Sequence, residues 1–382
     1  MAQWNRVPLI DYIELIGGGT PKTTVPEYWN GNIPWLSVKD FNNDKRYVYS
    51  TEKHISQSGF ENSPTKMLHK DDIIISARGT VGEIAMIPFD MAFNQSCYGI
   101  RASRGIDQPF LYYLLKNCIS QLKRMTHGSV FDTITRDTFA NIEVDIPDAE
   151  TQKRISSVLA DIDNKIEVND AINDNLHQQA ATLFKALFVD LTPFDGTMPP
   201  NWTISTLGDA TEMGAGGDKP KESSPVKTPL CPYPIYSNGI NDYGLYGYTN
   251  DPKIKVESVT VSARGTIGYV CLRHTPYVPI VRLVTLIPDT KVLSAKYLYL
   301  YLRQLHITGT GTTQQQLTVP DFRKTEIIIP DKNTMDSFTE TVTPLFEQIW
   351  ATEDENTKLA EVRDALLPKL MSGEIDVSDI QL

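Results

Sequence analysis

Between Glu150 and Asp190 the chain carries no glycine and no proline, and its apolar positions recur every seven residues along two lines. Ile155, Ile162, Leu176 and Leu183 form one line; Leu159, Ile166, Ala180 and Leu187 form the other. That pattern predicts a long amphipathic helix whose seam packs on another helix. At 1.5 Å per residue the stretch would reach roughly 60 Å, more than one wall of a compact domain needs. The seam is broken by Asn169 and Asn173. Polar residues at such positions fix register and partner at some cost in stability.

The pattern returns 183 residues later. Phe338, Leu345, Leu359 and Leu366 stand where Ile155, Ile162, Leu176 and Leu183 stood; Thr352 replaces Asn169 and Asn356 repeats Asn173. Both copies are entered through Ile-Pro-Asp, with Asp148 and Asp331 placed to cap a helix. The expected arrangement is an antiparallel pair, 150–190 with 333–371, related by a pseudo-twofold axis that brings the Asn169 and Thr352 layers together near the middle.

The rest of the chain alternates short β-rich runs with turns, also in two copies. Lys70–Ile87 (KDDIIISARGTVGEIAMI) predicts strand, tight turn, strand, and Val259–Leu272 (VTVSARGTIGYVCL) repeats it with the SARGT turn unchanged. Arg78, Gly79 and Thr80, and likewise Arg264, Gly265 and Thr266, suit a phosphate or a base edge. The guanidinium is bidentate and glycine lets the backbone come close. Asn94 and Gln95 carry amides that can pair with adenine. Further candidates for contacting DNA are Lys22, Lys39 and His127 in the first copy, and Lys219, Lys221, Asn238, Gln314, Gln315 and Gln316 in the second. In Tyr28–Phe41 (YWNGNIPWLSVKDF) the tryptophans suit a core, and the Ser37-x-Lys39-Asp40 end is the more functional part. The triple glycine at Gly17 starts neither a P-loop nor GxGxxG, so a plain loop is favoured. Leu191–Trp202 (LTPFDGTMPPNW) is a linker. The expected domains are 1–148, a spacer helix at 149–190, 191–330, and a C-terminal spacer helix at 331–382, in a mixed α/β fold. Matched strands with unlike loops are what two related but different recognition tasks need.

The formal charge of −11 argues against nucleic acid until its distribution is read. Residues 1–148 hold 15 basic and 17 acidic side chains and residues 196–330 hold 13 and 10, so the lobes are close to neutral. The helical stretches carry 4 against 8 and 4 against 12. DNA binding on the lobes is therefore compatible with an acidic total, and the helices are excluded as its surface. Cys97, Cys118, Cys231 and Cys271 are scattered without a CxxC and fit reduced thiols in a cytoplasmic protein. No apolar run is long enough for a bilayer, and no membrane partner is expected. The six histidines do not fall at zinc spacings, no metal site is expected, and nothing resembles a nucleophile elbow or a cofactor loop.

The duplicated SARGTVG and SARGTIG hairpins, the NIPWLSVKDF stretch, the paired helix entrances and the ending LLPKLMSGEIDV (Leu366–Val377), in this order, resemble the specificity subunit of type I restriction–modification systems. The likeness runs over nearly the whole chain. It implies two target recognition domains, each reading one half of a bipartite site in double-stranded DNA, held apart by two long antiparallel helices forming a coiled coil. It also implies a subunit without catalysis that recruits two methyltransferase subunits and then restriction/translocase subunits. S-adenosylmethionine, ATP and Mg are then expected on those partners, with no cofactor on this chain. The second copy has Tyr233-Pro-Ile-Tyr236-Ser-Asn-Gly in place of NIPW, which leaves its reading loop unplaced. The rival readings are a self-contained nuclease or modification enzyme, which needs a site the sequence lacks, a coiled-coil scaffold without a DNA role, and a free-standing DNA-binding regulator.

Overall fold

The computed structural model of the chain describes residues 4–126, 133–309 and 316–380. It divides into two units: residues 1–171 with 353–382, and residues 172–352. Each unit therefore holds one β-rich lobe and part of each long helix.

In unit 1 the strands are β1 (Asn5–Pro8), β2 (Ile13–Gly17), β3 (Trp29–Leu36), β4 (Lys53–Ile55), β5 (Met67–Leu68), β6 (Ile73–Ser76), β7 (Ile84–Met86), β8 (Met91–Phe93), β9 (Cys97–Ala102) and β10 (Glu143–Ile146). The helices are α1 (Val38–Phe41), α2 (Gln57–Glu61), α3 (Gln108–Thr126), α4 (Arg136–Ala140) and the long α5 (Ala149–Phe184), which runs on into unit 2. One sheet has the order β2-β9-β6-β7 and a second β4-β3-β8-β5, while β1 pairs with β10. Strand periodicity explains how the sheets share a core. Ile73 and Ile75 face α3, packing with Phe110, Leu114 and Leu122. Ile74 points the other way, among Leu36, Phe41 and Phe93. A strand covered on both faces needs an unbroken apolar run, and Ile-Ile-Ile supplies it.

Unit 2 repeats the plan with β11 (Thr203–Thr206), β12 (Thr211–Ala215), β13 (Ser223–Ser224), β14 (Tyr233–Tyr236), β15 (Leu245–Thr249), β16 (Ser258–Val261), β17 (Val270–Arg273), β18 (Val278–Pro279), β19 (Val284–Pro288) and β20 (Glu326–Ile329). Its helices are α6 (Leu207–Ala210), α7 (Ala295–Gln304), α8 (Val319–Phe322) and α9 (Lys332–Met371), which returns to unit 1. The sheet β12-β19-β16-β17 copies β2-β9-β6-β7 strand for strand. In the second sheet, β14 pairs in parallel with β18 at Ile235↔Val278 and Tyr236↔Pro279, as β3 does with β8 at Trp35↔Ala92 and Leu36↔Phe93. The Tyr233–Tyr236 segment thus occupies the NIPW position.

The long helices start as their sequence predicts. Asp148 accepts from the backbone N–H of Glu150 and Thr151 at 3.1 and 3.0 Å, and Asp331 from those of Asn333 and Thr334 at 3.1 and 3.2 Å. In place of α-helix to Asp190, Lys185–Val189 forms a π-turn that carries Phe188 into the unit 2 core. Within unit 1 the helices run antiparallel: Asp163 meets Arg363 and Asn169 meets Asn356. Within unit 2 they do the same, with Asn173 meeting Thr352 and Phe184 meeting Phe338. Asn169 is therefore opposite Asn356 and Glu355, at 2.8 Å each, rather than Thr352.

The apolar seam is also shifted from the sevenfold lines. Ile155, Phe338, Asn169 and Thr352 are buried, but Ile162, Leu176, Leu183, Leu345, Leu359 and Leu366 are only half-buried. Buried beside them are Leu159, Asp163, Asn173, Ala180 and Phe184 on α5, and Val342, Phe346, Ile349, Arg363 and Leu367 on α9. Each helix must face both its partner and a lobe, and the stripe that does both is wider than a two-position seam.

Candidate nucleic-acid interface

In each lobe one hairpin is built to expose an arginine. After β6, the Ser76 hydroxyl donates to the Thr80 carbonyl at 2.5 Å and accepts from the Glu83 N–H at 2.8 Å, while Gly82 N–H donates to the Ser76 carbonyl at 3.0 Å. The tight turn requires left-handed backbone at Gly79 (φ 79°) and Gly265 (φ 70°). A Cβ at either glycine would meet nothing within 4 Å, so conformation and not crowding selects the residue. Arg78, Gly79 and Thr80, and Arg264, Gly265 and Thr266, are all exposed.

Other segments converge on the tip. In lobe 1 the Ser96 carbonyl accepts from Ala77 and Arg78 N–H at 2.8 and 3.2 Å, and Ile134 N–H donates to the Ala77 carbonyl at 3.0 Å. Asn94 N–H donates to the Leu36 carbonyl at 3.0 Å, and its side-chain oxygen accepts from Ser96 N–H at 3.0 Å. Gln95 is exposed, and its side-chain oxygen accepts from the Thr20 hydroxyl. The corner Asn94-Gln95-Ser96 thus joins the hairpin to the end of β3 and to the glycine-rich loop after β2. Thr20 and Ser96 do not stand out in the sequence, because only strand pairing brings them there.

Lobe 2 reproduces the frame. Ile280 N–H donates to the Tyr236 carbonyl at 2.9 Å as Asn94 does to Leu36, and Leu317 N–H to the Ala263 carbonyl at 3.0 Å as Ile134 does to Ala77. Ile280, Val281 and Arg282 therefore stand where Asn94, Gln95 and Ser96 stand. What holds the hairpin differs. The Asn238 side-chain oxygen accepts from Ala263 N–H at 2.7 Å and from the Ser262 hydroxyl at 3.2 Å, and its amide donates to the Val281 carbonyl at 2.7 Å. Asn238, one of the candidates for contacting DNA, braces the tip. Arg264 Nε and Nη2 donate to the Gln316 side-chain oxygen at 3.2 and 2.9 Å. Asn238, Ile240, Arg264 and Thr266 line an open cleft of about 440 Å³.

The floors under the two tips differ in polarity. Where lobe 1 has Ile74, lobe 2 has Thr260, whose hydroxyl accepts from Arg273 Nε at 3.0 Å. Arg273 is 6% exposed, lies 3.6 Å from the centre of the Tyr236 ring and donates to the Tyr243 carbonyl at 2.6 Å. Among the described residues it has no carboxylate partner within salt-bridge distance. In lobe 1 burial, with Asp40 adding, pushes the Cys97 thiol up to about 12, so it stays protonated at neutral pH. Among the described residues no group of three His, Cys, Asp or Glu is placed to hold a metal ion, and no helix is long and apolar enough to cross a membrane.

The type I restriction modification DNA specificity domain matches this chain twice, at residues 1–178 and 199–361. The chain belongs to that family. The MjaIX specificity subunit of Methanocaldococcus jannaschii is 27% identical across 99% of this chain and 94% of its own, and the HindI specificity subunit of Haemophilus influenzae 26% across 70% and 77%. The crystal structure of a type I restriction–modification S subunit from M. genitalium shares the fold, with a TM-score of 0.57 over 97% of this chain and 96% of that one at 15% identity.

In this specificity subunit the remaining candidates lie on separate surface segments. Lys22 and Lys221 are exposed on the loops that follow the glycines, and Lys219 lies 5.2 Å over the exposed Tyr246 ring. Lys39 is exposed on α1, while Ser37 and Asp40 are bonded to each other. Asp40 accepts from Ser37 N–H and hydroxyl at 2.7 and 2.9 Å and from Glu52 N–H at 2.8 Å, so the pair caps the helix and ties down a loop. His127, Gln314 and Gln315 lie outside the described residues.

Proposed function

We propose that the chain is the non-catalytic DNA-specificity subunit of a type I restriction–modification complex, with residues 1–148 and 191–330 as target recognition domains that each read one half of a bipartite, asymmetric site. The observation that carries this reading is one scaffold presenting different side chains at the same corner, Asn94-Gln95-Ser96 against Ile280-Val281-Arg282, beside the same exposed arginine. A lobe of this size reaches a few base pairs in one major groove. Two unlike lobes then read two unlike groups of base pairs, and their spacing follows from the helix pair between them. The acidic outer faces of α5 and α9, Asp354 among them, are assigned to two methyltransferase subunits. Restriction/translocase subunits join that assembly. S-adenosylmethionine, ATP and Mg are assigned to these partners, and the complex to the cytoplasm.

Inserting one heptad into each long helix at matching places keeps the seam in register. It lengthens the pair by roughly 10 Å, or about three base pairs at 3.4 Å each. The methylated motif, read by single-molecule sequencing of cells with and without this gene, is expected to keep both halves and gain a longer gap. A changed half with an unchanged gap would show that the helices do not set the spacing. A scaffold without a DNA role predicts no salt-dependent gel shift with the motif, whereas phosphate contacts weaken steeply with salt.

A further inference from the structure

We infer that Val281 reads the 5-methyl group of a thymine in the half-site of lobe 2; the inference rests on the DNA-reading role just proposed. Val281 is a β-branched residue held in left-handed backbone, at φ 52°, and is 50% exposed. Val281 and Arg282 (φ 62°) form the tight turn between β18 and β19, closed by Leu283 N–H donating to the Ile280 carbonyl at 3.0 Å. Branched residues avoid that conformation, and a glycine or asparagine would make the turn without placing an alkyl group at the surface. The surrounding bonds leave it no freedom. Its N–H donates to the Gly217 carbonyl at 2.9 Å, its carbonyl accepts from Asn238 at 2.7 Å, and Arg282 N–H donates to the Gly216 carbonyl at 2.8 Å. Asn238 also holds the Arg264 hairpin, so the alkyl group and the arginine tip share one brace. Ile240, 52% exposed, lines the same cleft as Arg264.

The corresponding corner of lobe 1 offers the amide of Gln95, which suits a hydrogen-bonding base edge. In lobe 2 an alkyl group at that place suits the one apolar feature of the major groove, the thymine methyl. Exposed Arg264 and Arg282 favour a polyanion as the occupant over an apolar protein segment.

The test uses the full chain in its methyltransferase complex and duplexes carrying the methylated motif, with each thymine replaced singly by deoxyuridine, which lacks only the methyl. One replacement, in one half-site only, is expected to weaken binding roughly three- to fivefold, the worth of one buried methyl. Val281→Gly, which suits the backbone, should bind thymine and uracil duplexes equally while keeping its melting temperature. A motif with no sensitive thymine, or a Val281→Gly protein that still discriminates, overturns the inference and leaves the DNA-reading role intact. Failure of the wild-type complex to prefer the motif over unrelated DNA overturns that role itself.

Discussion

The same place in the two units, where the helix pair meets a lobe, is held by opposite chemistry. In unit 1 the buried Arg363 donates to Asp163 at 3.0 Å, to Asp44 at 2.8 Å and to Asp364 at 2.9 Å. Asp163 also accepts from the Tyr113 hydroxyl at 2.7 Å, and Asp44 from Lys116 at 2.8 Å. Arg46 and Lys45 extend the network from the same loop to Asn164 and Asp170 of α5. A shift of 183 residues turns Asp163 into Phe346 and Arg363 into Ala180, and the unit 2 junction is correspondingly apolar and aromatic. Phe184 alone lies within 6.5 Å of the rings of Phe188, Tyr297, Tyr301 and Phe338. Duplication preserved the path of the chain and not the means of holding it. A packed aromatic cluster contributes through area and tolerates adjustment, whereas an ion network contributes only when every member is present.

The aromatic junction has the larger single-residue effect. Phe184→Ala removes a fully buried ring and is expected to cost about 3–5 kcal/mol from transfer and cavity terms, with lost edge-to-face contacts adding to it. Hydrogen exchange should show protection falling in α7 and α9 of unit 2 while the lobe 1 strands keep theirs; a uniform loss would mean that the two junctions are not separate. Next comes Arg363→Ala, expected to cost about 3–5 kcal/mol because it strands the Asp163 carboxylate in the interior. The retained Tyr113 bond relieves part of that cost and places it below Phe184→Ala. Replacing both ends, Asp163→Leu with Arg363→Leu, should recover most of the loss in thermal unfolding, since a buried ion pair and a well-packed apolar pair are often equivalent. A double variant as unstable as the single one would show that Arg363 acts mainly through Asp44.

Much of this architecture is legible in the sequence, and what is not has a common cause. The duplication, the helix entrances and the glycine-dependent hairpins depend on neighbours in the chain, so local patterns reveal them. Asp163 and Arg363 escape a search for apolar heptads because they are polar and lie beside the sevenfold lines. The corner at Val281 escapes because Asn-Gln-Ser and Ile-Val-Arg share no residue; only the backbone bond to Leu36 or Tyr236 makes them equivalent. Asn238 resembles a base-reading amide until its three partners, from two separate segments, are known. Tyr233–Tyr236 is recognised as the second NIPW by its parallel pairing with β18, a contact between residues about forty positions apart.

Acid should separate the junctions by a smaller but distinctive effect. His177, against the Phe346 ring at 6.1 Å, has its pKa lowered from 6.5, by burial first and by Arg303 second. Below pH 6.5 the unfolded chain takes up a proton that the fold resists, so unit 2 loses stability as pH falls. Unit 1 holds Glu167 with its pKa raised from 4.5, by burial first, against the opposing charge of Arg46. The fold binds that proton more readily than the unfolded chain does, so this contribution is lost as pH rises and regained as it falls toward 4.5. Asp44 is lowered from 3.8, since Lys116 and Arg363 together outweigh its burial, and it weakens unit 1 only below that value. Between pH 7 and 5, unit 2 should therefore open first. The expected shift is a few degrees, at about 2–4 °C per kcal/mol for units of this size. Hydrogen exchange resolved by unit checks the order, and His177→Leu should remove the loss in unit 2 without altering unit 1. If unit 1 opens first over this range, the ion network and not the aromatic junction is the acid-sensitive element.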